Sequence, residues 1–148
     1  MQKTTLYLII ILVLFNLNVY AKENFFNEAK ELFDKGKIEE SKFLFQRNIV
    51  FNPKDSKSYL YLAKIFEKEE NEAEKEKNIN ATLLLESDNE EAMYMLIDIK
   101  LEKSDIKKVE ELTEKFKIIC NSLCSKLDSI EERLSNIDVK NESWKKSF

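Results

Sequence analysis

Apolar side chains recur at spacings of three and four along most of the chain. Phe25, Phe26, Ala29, Leu32 and Phe33 form one stripe. Ile38, Ser41, Leu44, Phe45, Ile49 and Phe51 form a second, and Tyr59, Leu62, Ala63 and Phe66 a third. Such spacings place each set on one face of an amphipathic helix. Gly36 falls between the first two stripes, where a tight reversal favours a residue free to adopt positive φ. Pro53 falls between the second and third; it cannot continue the preceding helix, and Asp55 or Ser56 after it is a good N-cap. These are the sole glycine and the sole proline of 148 residues. Folds rich in β-structure need glycine turns, so this depletion predicts an all-α protein whose other connections are made by Asn, Asp and Ser.

The stripes repeat. One common shift brings Phe51 onto Leu85, Pro53 onto Ser87, Tyr59 onto Met93, Leu62 onto Leu96 and Ala63 onto Ile97; the same shift backwards brings Tyr59 onto Phe25 and Ala63 onto Ala29. Turns are expected near Gly36, Pro53, Glu70, Ser87 and Ser104. A single helical hairpin cannot bury its stripe alone, so three hairpins are expected to stack side by side. Residues 67–81 carry few apolar positions, Ala73, Ile79 and Ala81. They read as a solvated helix carried by its neighbours, since Glu and Lys are good helix formers; a frayed turn is the alternative. From Cys120, the apolar positions Leu123, Leu127, Ile130, Leu134 and Ile137 follow at 3, 4, 3, 4, 3. Two readings stand for residues 122–138: a helix capping the open end of the stack, or a helix that binds a partner or dimerises. Residues 139–148 lack periodicity and are expected to form a flexible tail with Trp144 exposed.

A period of about 34 residues made of two helices resembles the tetratricopeptide repeat (TPR) family. The opening aromatic of that pattern is matched by Phe25, Tyr59 and, as a bulky residue, Met93. Its Leu-small pair is matched by Leu62-Ala63, and its next aromatic by Phe66. The small residue and aromatic of its second helix are matched by Ser41 and Phe45, and its closing proline by Pro53. Lys75 with Ile79, Val109 with Thr113, and Lys100 depart from the pattern. The resemblance spans residues 22–121. It implies an α-α superhelix of about three hairpins, a TPR-like solenoid with a C-terminal capping helix, and a concave groove lined by the first helix of each repeat. On that basis the groove would carry Phe26, Lys30 and Phe33, then Lys57, Leu60, Tyr61 and Lys64, then Tyr94, Asp98 and Leu101. Aromatic and lysine residues together suit an apolar peptide bearing an acidic group. The carboxylate clamp of chaperone-binding relatives is not reproduced, because Phe26 and Leu60 stand where a clamp lysine would. Phe26 and Phe33 also read as packing against a neighbouring segment.

Residues 1–21 change the picture of where this domain works. One lysine precedes a ten-residue apolar run, Leu6 to Phe15, and Val19-Tyr20-Ala21 places small residues where a signal peptidase reads. This is a secretory signal pattern, and the run is short for a retained membrane span. Heavy use of Lys, Asn, Ile and Phe suggests a bacterial source and therefore a periplasmic destination. Removing the leader with its single lysine leaves 23 basic against 28 acidic side chains, net −5. That mixed surface gives no reason to expect nucleic acid, and a membrane enters only through a retained signal segment.

Histidine is absent, which removes the commonest general base, the Ser-His and Cys-His pairs and most zinc sites. One glycine cannot build a phosphate loop. Glu69-Glu70 and Glu90-Glu91 sit in polar runs and read as solvated faces. No catalytic residue, metal site, cofactor or small-molecule substrate is therefore expected. Cys120 and Cys124 admit three readings: small core residues, a disulfide favoured by export, or a metal site. Two functions follow. One is a non-enzymatic periplasmic adaptor binding a protein or peptide in its groove. The other is a structural subunit of a cell-envelope machine, in outer-membrane assembly, cell-wall division or a flagellar motor accessory complex.

Overall fold

The computed structural model describes residues 25–146, with side chains through Ile137. The leader (1–21) and Trp144's side chain lie outside that range. Seven α-helices follow one another in the described residues without a strand: α1 Phe25–Asp34, α2 Ile38–Phe51, α3 Ser56–Lys68, α4 Glu72–Leu85, α5 Glu90–Glu102, α6 Ile106–Ile119 and α7 Leu127–Lys146. Each pairs with the next, giving three antiparallel hairpins stacked into an α-α superhelix.

The period is written into the backbone. Gly36, Glu70 and Ser104, one repeat apart in turn, have φ of 76°, 56° and 54°. After each, an amide reaches back five positions: Lys37 to the Leu32 carbonyl, Asn71 to Phe66 and Asp105 to Lys100, all at 2.9 Å. These are Schellman caps, which need a left-handed residue at this point. Glycine supplies it in the first hairpin; a glutamate and a serine are held in it in the other two.

Helices α4, α5 and α6 start on capping side chains. Asn89 accepts the Ala92 amide, as Asn71 and Asp105 do for Glu74 and Lys108 within hairpins. Asp55 occupies the expected N-cap position but makes no cap bond. Its carboxylate instead accepts from the Asn48 amide (2.7 Å) and the Ser58 hydroxyl (2.6 Å), joining α2 to α3 through buried polar groups.

Two apolar clusters form the core. Ala29, Phe45, Leu62, Ile65 and Phe66 join α1, α2 and α3. Ala63, Ile79, Ile97, Val109, Phe116 and Ile130 belong to the larger cluster, which joins α3 through α7. Residues 67–81 are helical from Glu72 onward. Where the repeat pattern wants a small residue, Lys75 is 3 % exposed. Its ammonium lies 3.1 Å from Glu67 and 3.5 Å from Glu72. Burial is the largest single influence and disfavours the charge, but the hydrogen bond and charge of Glu67 and the charges of Glu72 and Glu102 outweigh it and raise the pKa.

Helix α7 extends the same register. Ile130 stands one repeat after Leu96 and two after Leu62, and all three are buried. Leu127, Leu134 and Ile137 pack around it against the core. The seam thus covers the open face of the third hairpin. Helix α7 continues to Lys146, into the segment expected to be loose, since 139–146 holds no glycine or proline to stop it. Cys120 and Cys124 are joined in a disulfide with Cα atoms 5.2 Å apart. The bond spans the break between α6 and α7, where Asn121 stands one period after Ser87 and two after Pro53.

Candidate functional site

The first helices α1, α3 and α5 bound an open concavity of about 460 Å³, closed at one end by the turn between α6 and α7. Four of the ten residues expected in a groove line it: Phe33, Lys64, Tyr94 and Asp98. The other six are placed elsewhere. Leu60 is 7 % and Leu101 4 % exposed, both within the larger core cluster. Helices α3 and α5 are flanked by neighbours on both sides and are apolar over more than one stripe. Neither leucine can reach a ligand without opening the core, so both groove assignments are corrected. Phe26 and Tyr61 form an aromatic cluster with Phe33 and Phe45. The Tyr61 ring stands 5.6 Å from Phe26, 5.3 Å from Phe33 and 5.0 Å from Phe45. That cluster is the packing role that competed with binding for Phe26 and Phe33; Phe33 fills both roles. Lys30 pairs with Asp34 one turn on in its own helix, and Lys57 is exposed outside the concavity.

Ion pairs fix most charges of the floor. Lys64 lies 2.8 Å from Glu91 and 4.8 Å from the centre of the Tyr61 ring. Asp98 is bound by Arg133 of α7, and Glu67 is engaged by Lys75. Two ammonium groups differ. Lys68 stands 5.8 Å over the Phe33 ring and Lys126 5.6 Å over the Tyr94 ring. Neither takes a carboxylate partner among the described residues. The concavity therefore presents two aromatic faces, each beside a cation free to meet a carboxylate.

The wall carrying Leu123 and Lys126 is itself held in place. Leu123 occupies the capping position of the turn Cys124–Lys126 but has no side-chain oxygen to offer. Glu90, one period after Ser56, supplies what is missing. Its carboxylate accepts the amides of Asn121 (2.7 Å), Ser122 (3.2 Å) and Leu123 (3.1 Å), and the Ser122 hydroxyl. These donors, the Asn121 amide foremost, hold its pKa down to about 2. Glu90 had read as a solvated surface acid. Nothing local marks it, because its partners lie 31–33 residues away. Lys68, Lys126 and Arg133 likewise carry no mark in the sequence, where each looks like an ordinary solvated basic residue.

Among the described residues no group of three or more His, Cys, Asp or Glu could hold a metal ion. No helix there is long and apolar enough to cross a membrane.

No family model matches the sequence, and no curated protein matches it. The fold does match solved structures. The Yersinia enterocolitica type III secretion translocator chaperone SycD superposes with a TM-score of 0.66 at 16 % identity, over 80 % of this chain and 83 % of that one. SycD in complex with a peptide of the translocator YopD gives 0.65 at 14 %, over 79 % and 92 %. The second TPR domain of human RPAP3, in complex with the HSP70 peptide SGPTIEEVD, gives 0.61 at 17 %, over 77 % and 92 %. The fold is that of a TPR superhelix.

Proposed function

We propose that this chain is a non-enzymatic adaptor that captures a short segment of a partner protein in the concavity. The arrangement that carries the reading is the pair Lys68 over Phe33 and Lys126 over Tyr94. It offers apolar faces for one or two bulky side chains and a cation beside each for a flanking Asp or Glu. Similarly folded domains hold peptides of YopD and HSP70, which supports a peptide as the ligand. Export rests on the leader pattern and on the disulfide, which persists in oxidising compartments; the destination is the bacterial periplasm.

The test is photocrosslinking. A benzoylphenylalanine at Tyr94 is irradiated in the protein's own envelope fraction, and the attached peptide is sequenced. Expected is a segment with an aromatic or aliphatic residue next to a carboxylate. Crosslinks that lack such a segment, or that form equally from Lys57 outside the concavity, refute the reading. One stoichiometric partner would make the chain a fixed subunit of an envelope machine; several clients would make it a chaperone-like adaptor.

A further inference from the structure

The second helices α2, α4 and α6 end alike, and the turns that follow them then diverge. Asn52, Glu86 and Cys120 stand one repeat apart, and their amides donate to the carbonyls of Asn48 (2.7 Å), Thr82 (2.8 Å) and Phe116 (2.8 Å). The capping positions that follow, Asp55, Asn89 and Leu123, keep the same spacing. The Asp55 amide closes its turn on the Asn52 carbonyl (3.0 Å), and the Asn89 amide closes its turn on the Glu86 carbonyl (3.2 Å). At the third boundary the Leu123 amide turns instead to the Glu90 carboxylate (3.1 Å). The next residue, Cys124, is bonded through sulfur to Cys120. A covalent link therefore stands where the first two boundaries use a hydrogen bond.

This third boundary also supplies a wall of the concavity. Leu123 and Lys126 line it, and the Lys126 ammonium stands 5.6 Å over the Tyr94 ring. Glu90 pins Asn121, Ser122 and Leu123. Beyond them, the turn Cys124–Lys126 is tied back by the Lys126 amide, which donates to the Leu123 carbonyl at 2.9 Å, and by the disulfide. Cys120 is half-buried and Cys124 is exposed, so a thiolate reaches the bond from the Cys124 side. A bond that closes so short a ring restrains the unfolded chain less than a longer one would. Its main effect is local, because Leu127 and Ile130 hold α7 to the core by packing.

We infer that the Cys120–Cys124 bond is a redox latch on the concavity: closed, it holds Lys126 over Tyr94, and opened by a dithiol reductant, it releases that cation. A thiolate of the reductant attacks Sγ of Cys124, and Cys120 leaves as a thiolate. The second thiol of the reductant, deprotonated in turn, attacks the reductant's own sulfur in the mixed disulfide and frees Cys124. The reductant departs as a disulfide, oxidised by two electrons. The two protons its thiols gave up balance those that the two cysteines take up. The consequence for binding rests on the adaptor reading: a carboxylate beside Tyr94 loses its partner, while Lys68 keeps its place over Phe33.

The test is nuclear magnetic resonance of the chain from Lys22 onward, which contains every residue of both core clusters, oxidised and after dithiothreitol. The Lys126 methylene protons should be shifted upfield by the Tyr94 ring in the oxidised protein and lose that shift on reduction. The Lys68 methylenes over Phe33 should keep theirs. Cys120→Ser with Cys124→Ser should match the reduced form and ignore dithiothreitol. N-acetyl-Phe-Asp-amide, titrated and followed at the Tyr94 ring, should bind the reduced protein about two- to fivefold more weakly, as the loss of one exposed ion pair gives. A Lys126 shift that survives reduction overturns the latch. So does measurable probe binding of equal affinity in the two forms. Loss of helical circular dichroism on reduction also overturns it, since the bond would then support the fold rather than one wall. A probe that binds neither form sinks the adaptor reading, and the Lys126 shift alone then decides the latch.

Discussion

Replacing Glu70 and Ser104 by glycine should stabilise this protein, although neither change adds a contact. Both residues sit at positive φ, 56° and 54°, where a Cβ costs roughly 1–2 kcal/mol. Glycine removes that strain but adds chain entropy to the unfolded state, about 0.5–1 kcal/mol. The difference is a gain of about 0.5–1 kcal/mol per site. Both side chains are exposed, so little packing is lost to offset it. The sites lie one repeat apart in separate hairpins and should add, for a total of about 1–2 kcal/mol. In a domain of this size that raises the melting temperature by roughly 4–8 °C. Gly36→Ala is the reciprocal change. A Cβ there meets nothing within 4 Å, so the loss of about 1 kcal/mol would come from the backbone alone. Urea unfolding followed by circular dichroism at a helical wavelength measures all three. A less stable Glu70→Gly, or a Gly36→Ala indistinguishable from wild type, would refute the claim that the three turns are one repeated device.

Ala63→Arg should destabilise by at least about 3 kcal/mol, because Ala63 has no exposed surface in the larger core and a long charged chain must be buried or wedge helices apart; a melting temperature within a degree or two of wild type would sink it. Acidification should loosen the turn before α7. The folded pKa of Glu90 is depressed to about 2 from 4.5, so its contribution is complete above the unfolded value and is lost as pH falls from about 4.5 towards 2. Protection of the Asn121 to Leu123 amides, measured as exchange relative to the intrinsic rate at each pH, should fall across that window in wild type and be low at every pH in Glu90→Gln; protection that does not change with pH in wild type would remove Glu90 as the clamp.

The fold was legible because local signals agreed. Gly36, Pro53 and the Leu62-Ala63 pair set the register, and the positions expected for turns, Glu70, Ser87 and Ser104, all lie in turns. The degenerate second hairpin folds on a logic that hydropathy does not show. Lys75 enters the interior and reaches the partly exposed carboxylates of Glu67 and Glu72, and Thr82 reaches the Ser56 and Asn78 carbonyls. The site was half legible. The TPR resemblance implied a groove with Phe33, Lys64, Tyr94 and Asp98, which line the concavity, but it could not say how far around α3 and α5 burial extends, and so misplaced Leu60 and Leu101. Lys126 and Glu90 depend on how the chain turns at Asn121, which pairs groups from different hairpins that lie far apart in sequence.

The adaptor reading stands on one pair of free cations. A synthetic peptide of the segment crosslinked at position 94, titrated by calorimetry into wild type and into Lys68→Glu with Lys126→Glu, tests it most directly. Each lysine is exposed, so each lost ion pair is worth about 0.2–1 kcal/mol and its reversal to repulsion about as much again; the double variant should bind about tenfold more weakly with its helicity intact. Equal affinity in the two proteins would contradict the account.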